Sequence, residues 1–317
     1  MSAPSPNPPR DIAGWLSETI RARRGVLLSL AILAALGLAT RGAWLAVRPQ
    51  VAHSPQYLLT PASVSVTAPP AWVRGDVTAD VFRVGGLDGQ LSVLDPPAGL
   101  EERLAQTFVT HPWVRSVGAI TKTPPNRVTL ELEYRTPLAA VELGGALLPV
   151  DLDGALLPTR DLSADAVRYL PRIELTDATV RPPAVGELWL EPRLAGALAL
   201  VGSFGSAWSE LDLFLVRIDH TPGVRAGQRF WSYNVVSTGN TVVVWGGAPG
   251  FSPPDEAPFA KKLGNLRRAI AKHGPLDSVA KSPAMIDVRD GDAAYPRVVK
   301  KEGNRVASKD DDETATK

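Results

Sequence analysis

The chain has 317 residues, 44% of them hydrophobic, with 34 Lys and Arg against 33 Asp and Glu for a net charge of +1. That length favours two modest domains plus accessory segments, and a near-neutral charge offers no bulk attraction to nucleic acid. The absence of cysteine excludes disulfides, thiolate metal sites and cysteine nucleophiles. It also argues against a small disulfide-stapled ectodomain, whereas a bacterial envelope protein fits.

Residues 1–24 begin with Ser, Ala, Pro and Asn and predict a short flexible cytoplasmic tail. Gly25 to Val47 is a run of Val, Leu, Ala and Ile, and with Arg41 snorkelling it meets the ~20 residues that a bilayer requires. Arg21, Arg23 and Arg24 precede it, so the positive-inside tendency puts that end in the cytoplasm and Trp44 at the outer interface. The expected location is the bacterial cytoplasmic (inner) membrane, crossed once, with the bulk of the chain outside. A cleaved signal peptide is the competing reading. Its apolar core usually runs ~7 to 15 residues and ends in an A-x-A-like site; the longer run, the long leader and the lack of a clean small-x-small pair favour the anchor. Arg48 to about Val73, with Pro49, Pro55, Pro61, Pro69 and Pro70, predicts an extended stalk leading into a first strand.

The first domain is placed at 57–136. Leu100, Leu104 and Phe108 follow i, i+4, i+8 spacing, which predicts an amphipathic helix. It is closed by His111, Pro112 and Trp113, since proline cannot continue the ladder, and a strand starts at Val114. Trp113 is expected as a wedge between helix and sheet rather than a recognition surface. Val128, Leu130, Leu132 and Tyr134 alternate with Thr129, Glu131, Glu133 and Arg135, a strand entered from a turn at Thr123–Asn126. Helices on a small sheet result, so the fold class is α+β.

The second domain, 137–299, is richer in strands. Short apolar runs stand at Leu138–Leu143, Leu147–Val150 and Leu170–Leu175, with a turn at Asp153 and Gly154. A helix near Pro192–Phe204 carries Leu194, Leu198 and Val201 on one stripe, and strands are expected at Leu211–Ile218, Arg229–Val236, Thr241–Trp245 and Met285–Arg289. A further helix is expected to bury Phe259, Leu263, Leu266 and Ile270 and to expose Lys261, Lys262, Arg267, Arg268 and Lys272 as a solvated basic face. The charged tail at 300–317 predicts disorder.

Patterns that carry chemistry are missing. The four histidines share no ligand spacing, so no metal is expected. Gly85–Gly89 and Gly246–Gly250 match neither phosphate-loop pattern and are read as turns, and Ser203 lacks the G-x-S-x-G setting. Asp151 with Asp153, and Asp290 with Asp292, flank glycine turns, where aspartates cap the backbone. An envelope hydrolase is carried as the enzyme alternative without a candidate dyad.

The order of segments resembles the bacterial cell-division protein family FtsQ, also called DivIB. The likeness rests on the spanning helix, Pro112-Trp113-Val114, Glu133 to Ala139 reading E-Y-R-T-P-L-A, Val150 to Gly154, Val243 to Gly246, and Ile286-Asp287-Val288-Arg289 against the family's closing I-D-L-R. It runs from about residue 57 to 299. The chain departs from the family at Asp290, where many members have an aromatic residue, at Pro296, and over Tyr57 to Ser92. The resemblance implies a POTRA domain at 57–136, an FtsQ-type β domain at 137–299 with a C-terminal edge strand, and no catalysis, cofactor or small-molecule substrate. It also implies recruitment to the division site and capture of small bitopic partners of the FtsB and FtsL type, linking the chain to septal peptidoglycan synthesis. The mode implied is β-augmentation, in which an exposed edge pairs with an incoming strand. The edge residues expected on this basis are Met285, Ile286, Asp287, Val288, Arg289, Asp290, Tyr295 and Val298. A membrane-anchored POTRA protein of another envelope assembly, in secretion or outer-layer biogenesis, is the alternative.

Overall fold

The computed structural model describes residues 24–297 except 176, 178 and 226. The predicted cytoplasmic tail up to Arg23, Val298 and the 300–317 tail lie outside the described residues. The chain is a mixed α+β protein preceded by one apolar helix, α1 (Arg24–Ala52). Among the described residues it is the one helix long and apolar enough to cross a membrane, with mean hydropathy 1.8 over Leu28–Ala52 and none of its apolar window buried. Leu28, Ile32, Leu36 and Trp44 all stand exposed around it, as a helix apolar on every side does when lipid is its solvent. The helix continues past Val47, where the sequence predicted a stalk. Pro49 lies in its final turns, where a missing N–H removes only one ladder bond. The last carbonyls are closed locally: His53 N donates to Pro49 O at 3.0 Å, and Ser54 Oγ donates to Gln50 O at 3.2 Å.

The chain packs into two units, one holding residues up to Thr67, Val77–Thr107 and Gly118–Glu131, the other Ala68–Asp76, Phe108–Val117 and the described chain from Leu132. The sequence placed a single boundary after Thr136; the chain instead passes between the units several times. Along the first part of the chain, β1 (Val64–Val66), α2 (Val77–Gly85), α3 (Pro97–Val109), β2 (Val114–Thr123) and β3 (Arg127–Tyr134) follow one another, with the end of α3, the start of β2 and the end of β3 counted in the second unit, and the sheet runs β1-β3-β2. β1 is parallel to β3, with Val64 opposite Val128 and Val66 opposite Leu130. The helix α2 was not expected. It buries Val77, Val81 and Phe82, and it touches α3 so closely that a Cβ on Gly85 would meet Thr107 Cγ2 at 2.5 Å. Leu100, Leu104 and Phe108 of α3 are fully buried at their predicted spacing, and so are Val128 and Leu130 of β3. Ahead of β1 the chain is already tied down: Leu59 N donates to Leu91 O at 2.8 Å and Val93 N to Tyr57 O at 3.0 Å.

The second unit continues with β4 (Ala139–Leu143), β5 (Ala146–Val150), α4 (Ala164–Arg168), β6 (Arg172–Glu174), α5 (Pro192–Phe204), α6 (Ala207–Glu210) and β7 (Leu213–Ile218). A small hairpin, β8 (Gly223–Arg225) with β9 (Gln228–Phe230), precedes β10 (Tyr233–Ser237), β11 (Val242–Gly246), α7 (Phe259–His273), β12 (Met285–Asp287) and β13 (Ala293–Tyr295). Eight of these strands form one sheet in the order β5-β4-β6-β7-β10-β11-β12-β13. α5 and α7 cover one face. Leu194, Leu198 and Val201 of α5 join the core as predicted, and Phe204, Trp245 and Phe259 form an aromatic triangle with centroids 4.8 to 5.1 Å apart. Gly196 lets α5 lie against β10, because a Cβ there would fall 2.0 Å from Tyr233 Oη; that hydroxyl donates to Arg193 O at 3.1 Å. Trp113, 1% exposed, is core as expected, and its Nε1 donates to Asp161 Oδ2 at 2.7 Å.

One face assignment is overturned. Lys262, expected on the solvent side of its helix, is 1% exposed and lies with Asn265, Leu266 and Ala269 on the buried face of α7. Its ammonium finds partners inside, Glu256 and the Gly247 carbonyl, which is what lets a charge remain there. Phe259, Leu263 and Ile270 pack against the same core but stay half-buried.

Candidate functional site

The closing part of the second unit is built by a β11-α7-β12 crossover, with β12 parallel to β11 and Ile286 opposite Val243. β13 then turns back antiparallel on β12, Met285 opposite Tyr295 and Asp287 opposite Ala293. The expected edge therefore divides. Met285–Asp287 is an inner strand paired on both sides, so it offers no free ladder, and β13 is the terminal strand. The reason lies at 290–292: Asp290, Gly291 and Asp292 form a turn short enough to fold the next three residues back over β12.

The eight residues expected at the edge take different roles. Ile286 and Val288 are fully buried in the core. Met285 and Asp287 are half-buried on the opposite face. Arg289 turns back on Asp287, with NH2 2.7 Å from Oδ2 and Nε 3.1 Å from Oδ1. The hydrogen bond from Arg289 holds the Asp287 carboxyl below its ordinary pKa and, reciprocally, raises that of Arg289. Arg289 and Asp290 line a polar cleft of about 320 Å³ with Glu256, Trp231 and Gly247. Tyr295, on β13, is 48% exposed. Val298 lies outside the described residues.

Residues that the sequence did not single out complete the edge. Beside β13 opens a second cleft, about 480 Å³, lined by His273, Val279, Lys281, Pro283, Tyr295 and Arg297. Val279 is exposed next to Tyr295. Among the described residues no carboxylate lines this cleft, and its charged side chains are basic ones. Arg297 NH2 donates to Gly239 O and Asn240 O, each at 3.1 Å, and fastens the chain leaving β13 to the turn between β10 and β11. A signal existed in Ala293-Ala294-Tyr295, a short run ended by Pro296, but three residues are too few for a period to emerge.

Of the four carboxylates expected to cap turns, Asp151 does so, whereas Asp153 pairs with Arg115 and Asp292 with Lys272. Asp151 Oδ1 accepts from Ala155 N at 2.7 Å and Asp153 N at 3.1 Å, while Oδ2 meets Arg135 NH1 at 2.6 Å. Asp292 meets Lys272 Nζ at 2.6 Å, and that hydrogen bond holds its pKa below the ordinary value. Among the described residues, no three His, Asp or Glu side chains are placed to share a metal ion. No protein-family model matches the chain, and no curated protein matches it either.

Proposed function

We propose that the protein is a non-catalytic, single-pass scaffold of the bacterial division complex, which captures an extended segment of a small bitopic partner of the FtsB or FtsL type by adding it to the edge of β13. The carrying observation is the terminal position of β13, which ends the eight-stranded sheet with no strand on its outer side among the described residues. A strand left so supplies backbone groups to an incoming chain. β13 has three residues and is followed by Pro296, so few ladder bonds can form. The adjoining cleft with Val279 and Tyr295 supplies the additional contact that such a short ladder needs. Three further features support the reading: the β-α-α-β-β order of the first five elements with β1 parallel to β3, the apolar helix α1, and the I-D-V-R segment that begins in β12 beside the edge and runs past its end.

The test uses the full-length chain. Ala294→Pro removes an edge N–H and is expected to abolish co-purification of the FtsB-type and FtsL-type proteins of the same genome, with membrane insertion retained. Undiminished co-purification overturns the edge mechanism. A fluorescent fusion is expected to band at mid-cell, and a fusion that spreads evenly over the envelope assigns the protein to another assembly.

A further inference from the structure

Four polar residues stand on one side of α7, Lys262, Asn265, Arg268 and Lys272, spaced so that successive turns place them along a common stripe. Between them they reach three parts of the closing segment. Lys262 Nζ donates to the carbonyl of Gly247, the residue after β11, at 3.1 Å. Asn265 Nδ2 donates to the carbonyl of Val288, the residue after β12, at 2.8 Å. Arg268 donates to Asn265 Oδ1 and lies 3.9 Å from Asp292 Oδ2. Lys272 Nζ meets that same oxygen at 2.6 Å, one residue before β13 begins. Lys262 and Asn265 are each 1% exposed. A buried ammonium and a buried amide are costly to leave unpaired, so each strongly favours the backbone position that satisfies it.

We propose that α7 is the positioning element of the sheet edge: its polar column fixes the ends of β11 and β12 and the start of β13, so that β13 is held in register before any partner strand arrives. The column is graded. Its buried end, Lys262 and Asn265, locks two strands that already lie inside the sheet. Its solvent end, Arg268 and Lys272, holds β13, the terminal strand on this side of the sheet. An edge strand of three residues has little pairing of its own, so the Asp292 contacts decide how often it opens. A preformed edge lowers the ordering cost of capture. The proposal rests on β13 being the docking edge for its purpose, but its geometry stands without a partner.

The test is hydrogen–deuterium exchange on the full-length chain in detergent micelles, comparing Arg268→Ala/Lys272→Ala, Asp292→Asn and all three changes together. Peptides covering 285–295 are expected to exchange about threefold to tenfold faster in either variant, the range given by one or two partly exposed ion pairs. Peptides covering β10 and β11 are expected to be unchanged. Combining the changes is expected to add little, because both variants break one contact set, and Lys272→Arg is expected to keep the native pattern. Unchanged exchange at 285–295, or equal acceleration in β10 and β11, overturns the proposal. Faster exchange at 285–295 in a protein whose wild type captures no division partner instead overturns the proposed function and leaves the positioning role standing.

Discussion

The two ends of the eight-stranded sheet are treated differently. At one end β5 is sealed: Ala155–Leu157 folds along its outer side, with Leu157 N donating to Pro149 O at 2.8 Å and Asp151 N to Ala155 O at 3.2 Å. Leu157, Val150 and Ala140 are all fully buried there, and Val167 of α4 nearly so. At the other end β13 carries Ala293 and Tyr295 exposed, with only half-buried Ala294 turned to the core. An unprotected strand edge is a hazard that natural sheets cover or shorten. This chain covers one edge with its own backbone and leaves the other open but only three residues long. An open edge of this kind is what the proposed capture at β13 requires.

Four experiments, from the largest expected effect to the smallest, break or sharpen that contrast. Lys262→Met attacks the open end from beneath, removing the cation from half-buried Glu256 and the donor from the Gly247 carbonyl; it is expected to cost ~3–5 kcal/mol in denaturant unfolding of the full-length chain. Adding Glu256→Gln is expected to recover most of that loss. Leu157→Ala attacks the sealed end and is expected to cost ~2–4 kcal/mol, as emptying a fully buried leucine site does. Partner capture should survive it in whatever fraction stays folded. The third concerns acid. Because Asp287 titrates below its ordinary value in the folded chain, its pair with Arg289 contributes fully above the unfolded carboxylate pKa of about 3.9 and is lost as pH falls through the depressed value. Asp287→Asn should flatten that part of the acid-unfolding profile, by no more than ~1 kcal/mol for a partly exposed pair. The fourth is Tyr295→Ala, expected to change stability by less than ~0.5 kcal/mol yet to weaken capture at least about tenfold if the ring anchors the partner. A stability loss as large as that of Leu157→Ala would mean that the edge is structural.

Much of the architecture was legible in sequence because its period was long or strict. The alternation of Val128 to Leu132 reads correctly, and the spacing of Leu100, Leu104 and Phe108 marks its helix. The run from Gly25 marks the apolar helix, though its end is at Ala52 and not Val47. Helix α2 escaped because its buried set, Val77, Val81 and Phe82, is brief and follows a proline-rich stretch that reads as stalk. The expected edge runs from Met285 through Tyr295, whereas only its later part, β13, ends the sheet. Ile286 and Val288 have the apolar spacing of a strand, but spacing cannot say whether one neighbour or two will pair with it, and β13 is too short to announce itself. Lys262 misled for a chemical reason. Lysine defaults to solvent, and its partners are a glutamate six residues upstream and the carbonyl of Gly247 just past β11, neither of which a helical wheel contains.

The way α1 ends bears on reach. With the helix continuous through Ala52 and the chain already paired at Leu58 and Leu59 with Ser92 and Leu91, only a handful of residues separate the apolar helix from folded structure. At no more than ~3.6 Å per residue even fully drawn out, that leash spans about 20 Å. A first unit held so closely searches a thin layer of space, and any molecule tethered in the same bilayer is confined to a similar one. Encounters between them would then be counted per area rather than per volume. Inserting a long glycine-serine segment after Ser54 would loosen the leash while leaving every contact of the edge untouched.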